Sequence, residues 1–186
     1  MKDIVFILGP PGSGKSTICN KLIEEFQCFH ISVGNLLREE IKANGKYSKL
    51  IEDIIKNGKI VPSDITINLL RKEIDSTDSK IILIDGFPRN EENYNYWGKI
   101  EKFYPIKFVI YLDCKKSIVF DRIIKRSLNS DRIDDNITSI KKRLNTFNKD
   151  TVPIINLYNN KGILKRIDSN LNIDDVYSKI VSLFKD

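Results

Sequence analysis

Near the N-terminus, Gly9-Pro10-Pro11-Gly12-Ser13-Gly14-Lys15-Ser16 matches the spacing G-x-x-x-x-G-K-[ST]. Glycines at these positions let the backbone curl until its N–H groups point at phosphate oxygens. The positive end of a following helix adds to that attraction. Lys15 is placed to reach β- and γ-phosphates, and the Ser16 hydroxyl to help hold Mg²⁺. The apolar run Ile4–Leu8 precedes the loop and a helical pattern follows it, which is the context such a loop needs. Motors, switches, transport ATPases and small-molecule kinases all use a loop of this kind. It fixes the ligand as a nucleoside triphosphate and leaves the reaction open.

The arginines narrow the reaction. Transfer between two nucleotides brings several phosphates together, and the protein must neutralise them while holding donor and acceptor in line. Arg38, Arg89, Arg126, Arg132 and Arg143 all flank expected loops. Arg122 and Arg126 are four residues apart and share a helix face. Asp85 ends an apolar strand, where an unpaired carboxylate is costly. A place beside Mg²⁺ would compensate it; capping a helix N-terminus is the alternative.

The elements that must position these groups follow an α/β rhythm, short apolar runs alternating with longer helical-period segments. Strands are expected at Ile4–Leu8, Phe29–Ser32, Ile81–Ile84, Phe108–Leu112 and Ile163–Ile167. The last contains Lys165 and Arg166 and reads as an edge strand. Helical stripes are expected at Ile18/Leu22/Ile23/Phe26, Leu50/Ile51/Ile54/Ile55, Ile67/Leu70/Ile74, Ile137/Ile140/Leu144/Phe147 and Val176/Ile180/Leu183/Phe184, all as core. Asn57-Gly58 reads as a helix stop and Pro62-Ser63-Asp64 as a helix start. Residues 33–62 hold two short helices without a strand, and the polar stretch 127–136 interrupts two helical patterns. Either is a candidate cover for a site at the strands' C-terminal ends.

At 186 residues, 41% hydrophobic, the chain supports one substantial core and is read as a single domain over 1–186. The net charge of +6 suits an anionic ligand and equally a solvated lysine-rich surface. Cys19, Cys28 and Cys114 have no metal-ligand spacing and read as reduced thiols. No apolar run is long enough to span a membrane or act as a secretory signal. A cytoplasmic protein is expected, of a size that permits entry to the nucleus, acting as a monomer on small molecules, with no nucleic-acid or membrane partner. The single histidine, His30, excludes a mechanism built on paired histidines.

Taken together, Gly9–Thr17, Ile31–Arg38, Gly58–Pro62, Asp85–Arg89 and Asp131–Asp135 resemble the nucleoside monophosphate kinases of the adenylate kinase superfamily. Within it, Asp85–Asn93 with Trp97 beyond is similar to the UMP-CMP kinases. The resemblance runs from Ile4 to about Phe184. It implies a phosphate-loop fold: a five-stranded parallel sheet with helices on both faces, a small helical acceptor-binding region near 32–62 and a short lid near 127–136. It also implies roles. Gly12, Ser13, Gly14, Lys15, Ser16 and Thr17 would hold ATP phosphates. Arg122 would stack on the donor adenine and Arg126 contact its phosphates. Arg132 and Arg143 would bridge donor and acceptor, and Arg38 and Arg89 would clamp the monophosphate. Lys59, Ile60 and Val61, with Gly86, Phe87, Pro88 and Arg89, would line the acceptor site. Asp134 and Asp135 would help close the lid.

The implied reaction is phosphoryl transfer from Mg·ATP to CMP or UMP, with dCMP as a further acceptor, giving ADP and the nucleoside diphosphate. Asn93 stands where adenylate kinases tend to carry Gln. A carboxamide turned one way suits cytosine and flipped suits uracil, and its shorter reach favours a single-ring base by about 1–3 kcal/mol. Val33 stands where adenylate kinases have Thr and UMP-CMP kinases usually Ala. Ser127 and Asp131 replace the family's glycines and are expected to stiffen the lid. Ser16 also replaces a usual glycine, and Asn35 a usual acidic residue. The rival readings are an adenylate kinase with AMP as acceptor, a regulatory NTPase switch, and a silent binding module.

Overall fold

The computed structural model describes residues 2–128 and 136–185. Asp131, Arg132, Asp134 and Asp135 lie outside them, so the expectations placed on these four have no counterpart below.

Five parallel strands, β1 (Asp3–Leu8), β2 (Cys28–Ser32), β3 (Ile81–Asp85), β4 (Ile106–Asp113) and β5 (Leu164–Asp168), form one sheet in the order β2-β3-β1-β4-β5. The strand runs are apolar because both faces are covered. Ile4, Phe6, Leu8, Ile82 and Ile84 enter one core cluster, and the alternate residues Val5, Ile7 and Leu83 enter the other. β5 lies at the edge and exposes Lys165 and Arg166, as its charges require.

The first face is covered by α2 (Val33–Lys42), α3 (Ser48–Lys56), α4 (Ser63–Asp75), α5 (Glu91–Gly98) and α8 (Val152–Asn160). The second is covered by α1 (Lys15–Glu25) and α9 (Ile173–Val181). α6 (Lys116–Ser127) and α7 (Ile137–Thr146) pair through Val119, Ile123, Ile140 and Leu144. A π-helical turn, Phe147–Thr151, joins α7 to α8. Three residues expected in the core are exposed: Ile23, Leu50 and Ile137. Each sits at the flank or first turn of its stripe, where the neighbouring helix no longer reaches. Leu183 and Phe184 belong to a 3₁₀ turn after α9, and Phe184 packs on Phe26 and Phe108.

β1 lies where the strand order reverses, with β3 on one side and β4 on the other. In open α/β sheets the ligand crevice opens at such a point, beyond the strands' carboxyl ends. Beneath it, Phe6 packs edge-on against Trp97 with centroids 5.1 Å apart and against Phe87 at 5.7 Å. With Phe87 fully buried, this aromatic floor fixes the Asp85–Arg89 turn above it.

Candidate active site

One cavity at the sheet's carboxyl end brings together Gly12, Gly14, Lys15, Ser16 and Thr17 of the phosphate loop and the arginines Arg38, Arg89, Arg126 and Arg143. Lys59, Ile60, Val61, Asp85, Gly86 and Pro88 complete its lining among the expected residues. Ser13 is buried beside the cavity, and Phe87 points into the core. Arg122 lies outside the lining: its guanidinium donates to the Leu171 carbonyl at 3.1 Å and approaches Cys114 Sγ at 3.7 Å. Val33 is buried in the core, while its neighbours Ser32 and Gly34 face the cavity.

The loop's glycines are structural necessities. Gly14 caps α1 in the left-handed region at φ 95°. At Gly12, φ is 80° and a Cβ would fall 2.7 Å from Ile123 Cγ1, so the loop packs directly on α6. Lys15 Nζ donates to the carbonyls of Gly9 and Pro10, both at 2.9 Å. Burial pushes its pKa down to about 8, with Arg89, Arg143 and Arg126 adding to the effect and Asp85 opposing it. A consequence is readable in kinetics. The kcat/KM for ATP, which reports the free enzyme, is expected to fall above about pH 8 as Lys15 loses its proton. The kcat should break at higher pH, because bound phosphates hold that proton. Stability carries the opposite sign. Between about pH 8 and 10.5 the folded state binds fewer protons at Lys15 than the unfolded chain, so this group's contribution to stability rises with pH.

Asp85 is buried at the end of β3 and accepts from Ser16 Oγ at 2.8 Å and His30 Nε2 at 2.9 Å. Burial opposes its charge. The His30 hydrogen bond, the nearby Lys15 and the Ser16 hydroxyl outweigh that and hold its carboxyl below the usual range. The carboxylate thus makes Nε2 the protonated nitrogen of His30. Asp85 caps no helix; Asn90 does that for α5. An ionised carboxylate and a hydroxyl this close are hard oxygen donors, and they fit Mg²⁺.

The arginines are held in place by their surroundings. Arg89 Nε donates to the Gly86 carbonyl at 2.7 Å, and Thr151 Oγ1 donates to the Arg89 carbonyl at 2.7 Å. Arg38 Nη2 donates to Asn35 Oδ1 at 2.5 Å, a bond that an acidic side chain would accept as well, so nothing in the structure explains the amide at position 35. Gly34 leaves room for that guanidinium, since a Cβ there would come within 3.2 Å of it. Arg143 sits where α7 meets Gly58. The latter has φ 64°, and a Cβ on it would lie 2.8 Å from Lys142 Cβ. Thr146 Oγ1 ties the Gly58 carbonyl to the same helix at 2.9 Å. The expected helix stop is therefore also a docking point between the 32–62 region and α7.

Asn93 corrects one expectation. It is buried, accepts from the Arg89 backbone N–H at 3.1 Å through Oδ1, and donates to Ser63 Oγ at 2.7 Å through Nδ2. An N–H can only donate, so flipping the carboxamide would set two donors against each other. The amide is held in one orientation and does not turn freely between two bases. Ser63 makes no capping bond at the start of α4; its hydroxyl serves Asn93 instead. Replacing Ser63 with Ala would strand a buried N–H, at a cost of about 1–3 kcal/mol. Expected is a lower melting temperature and a several-fold higher acceptor KM, with kcat within about twofold, measured by thermal denaturation and steady-state assay.

Thr146 and Thr151, which carry no expectation from sequence, also line the cavity, as does Phe147, expected only as core. They follow Arg143 at three, four and eight residues, a helix-face spacing that could have found them. His30 carried no signal beyond being the only histidine.

An adenylate kinase family model matches residues 7–163. The chain is 43% identical over 188 residues to the UMP-CMP kinase of Sus scrofa, spanning 97% of this chain and 96% of that one. It is 42% identical to the UMP-CMP kinase of Homo sapiens with the same coverage. It is 44% identical over 181 residues to a probable UMP-CMP kinase 2 of Arabidopsis thaliana, spanning 97% of this chain and 69% of that one.

Proposed function

The chain belongs to the adenylate kinase family, and from that premise we propose that it transfers the γ-phosphoryl group of Mg·ATP to CMP or UMP, with dCMP as a further acceptor. The observation that carries this reading is the convergence of Lys15, Arg38, Arg89, Arg126 and Arg143 on one cavity beside the phosphate loop. A hydrolase needs to neutralise one polyphosphate; this many cations suit two phosphate-bearing ligands held end to end.

The phosphate loop and the N-terminus of α1 hold the donor, with Arg126 on its phosphates and Arg122 at the adenine. Arg38 and Arg89 clamp the acceptor phosphate. An oxygen of that phosphate attacks the γ-phosphorus, and the bond to the ADP bridging oxygen breaks. The attacking oxygen is already ionised, so no general base is needed. Lys15, Arg89, Arg126, Arg132 and Arg143 shield the charge spread over the transferring group. Ser16 and Asp85 would hold Mg²⁺, which would supply neutralisation of the donor phosphates' charge. The resemblance implies a lid role for residues 127–136, with Asp134 and Asp135, which would be to exclude water as a competing acceptor.

Asn93 reads the acceptor base. With its amide held, adaptation to cytosine or uracil falls to small shifts of the base. The one-methylene difference from Gln is worth about 1–3 kcal/mol, so some AMP use persists. The protein acts as a monomer of one domain in the cytoplasm. Three free thiols fit a reducing compartment, and a cavity assembled within one chain fits a monomer. The test is diphosphate formation from Mg·ATP with CMP, UMP, dCMP, AMP and GMP. CMP and UMP should exceed AMP at least tenfold in kcat/KM. A preference for AMP, or phosphate release independent of acceptor, would overturn the reading.

A further inference from the structure

Three side chains from three elements meet beneath the phosphate loop: Cys19 on the inner face of α1, His30 on β2 and Asp85 at the end of β3. One ligand atom from each lies within 4.8 Å of the others. We propose that Cys19, His30 and Asp85 form a site for a thiophilic divalent cation of the Zn²⁺ class, whose occupation excludes Mg·ATP.

The donor set decides the class of ion. Thiolate, imidazole and carboxylate together suit Zn²⁺ or Cd²⁺, whereas Mg²⁺ takes oxygen ligands. The geometry is close to what such an ion needs. His30 Nε2 and Asp85 Oδ2 are 2.9 Å apart, bridged by a proton that a cation can replace. Ligand atoms around a four-coordinate Zn²⁺ stand roughly 3–4 Å apart, so the sulfur closes in by about 1 Å. Ser16 Oγ, 2.8 Å from the same carboxylate oxygen, is at hand as a fourth donor. Asp85 and Ser16 line the cavity, which gives the ion its way in. The scaffold is rigid: Cys19 is fully buried against the sheet, and the two strands pair directly, with Ser32 beside Asp85.

The site deepens the kinase reading without depending on it for detection. Binding replaces the thiol S–H bond by a sulfur–metal bond and its proton leaves to solvent; the His30 Nε2 proton passes by way of solvent to Nδ1, so that a neutral imidazole binds through Nε2, with no change in oxidation state. Burial keeps the Cys19 thiol protonated in the metal-free protein, so the ion must displace that proton. Asp85 is the group both ions require. A thiophilic cation on it withdraws the carboxylate from Mg²⁺, which makes the two occupations mutually exclusive.

Cd²⁺ titration of the nucleotide-free protein carrying Cys28→Ser and Cys114→Ser isolates Cys19 as the one thiol. Expected is a thiolate-to-cadmium ultraviolet band saturating near one equivalent, weakened at least tenfold in affinity by His30→Gln and suppressed by saturating Mg·ATP. Co²⁺ on the same protein should give the visible spectrum of a four-coordinate thiolate site, a readout that needs no histidine variant to fold. Cys19→Ala in the otherwise native chain should keep its Mg·ATP kinase activity and lose submicromolar-to-micromolar Zn²⁺ inhibition. The inference is overturned by absence of the cadmium band, by a band indifferent to His30→Gln, or by a band that persists under saturating Mg·ATP. If the protein instead fails to phosphorylate any monophosphate while the cadmium and cobalt signatures appear, the kinase reading falls and the metal site stands.

Discussion

Replacing Lys15 with Met should lower kcat/KM for ATP by about 10²–10³, the cost of one preorganised cationic donor at a transferring phosphoryl group. The expectation rests on where Lys15 sits. Its ammonium is held against the loop carbonyls of Gly9 and Pro10 by the start of α1, and it reaches phosphate oxygens by a small movement rather than a search. Arg126 and Arg143 face the same cavity, but neither stands inside the loop curl, so neither should compensate. Methionine keeps the length and apolar stem. Thermal stability should therefore change little compared with activity, since the variant removes a charge whose burial is itself costly. Steady-state kinetics beside a melting curve separates the two: a loss of activity below tenfold would remove Lys15 from the transition state.

The second large effect is expected at Arg89. Arg89→Ala should reduce kcat/KM for CMP by about 10³, with the loss visible in both kcat and acceptor KM. Arg89 is fixed from three sides. Its Nε is anchored on Gly86, its carbonyl on Thr151 and its N–H on Asn93. These anchors aim the guanidinium before substrate arrives, and preorganisation is where the rate effect originates. Arg89→Lys should recover little, because an ammonium offers neither the Nε anchor nor the planar fork. Recovery to within fivefold of the native rate by Lys would mean that charge alone matters there, and the anchoring argument would fail.

Much of this was legible from the residues. The five strands lie within one or two residues of their expected positions; β1, β3 and β4 stand out most clearly, because a strand covered on both faces must be nearly apolar. The phosphate loop was legible because its glycine spacing is dictated by backbone geometry. Contacts between distant elements left no trace in spacing. Ser63 stands in the expected helix start Pro62-Ser63-Asp64, yet its hydroxyl goes to Asn93 thirty residues away. His30 had no neighbour in sequence to suggest Asp85, 55 residues on. The π-helical turn over Phe147–Thr151 has no local sequence signal, although the spacing of Phe147 and Thr151 from Arg143 places them on one helix face. Ile23, Leu50 and Ile137 fit helical stripes but lie beyond the reach of the facing elements. Periodicity says which face is apolar and not how far the partner extends.

A crystal structure with adenosine and uridine joined through five phosphates tests the central claim most directly. The account predicts the guanidinium groups of Arg38, Arg89, Arg126 and Arg143 within hydrogen-bonding distance of the phosphate chain, with uracil seated beside Asn93. Guanidinium groups turned away from the phosphates, or adenine in place of uracil against Asn93, would contradict it.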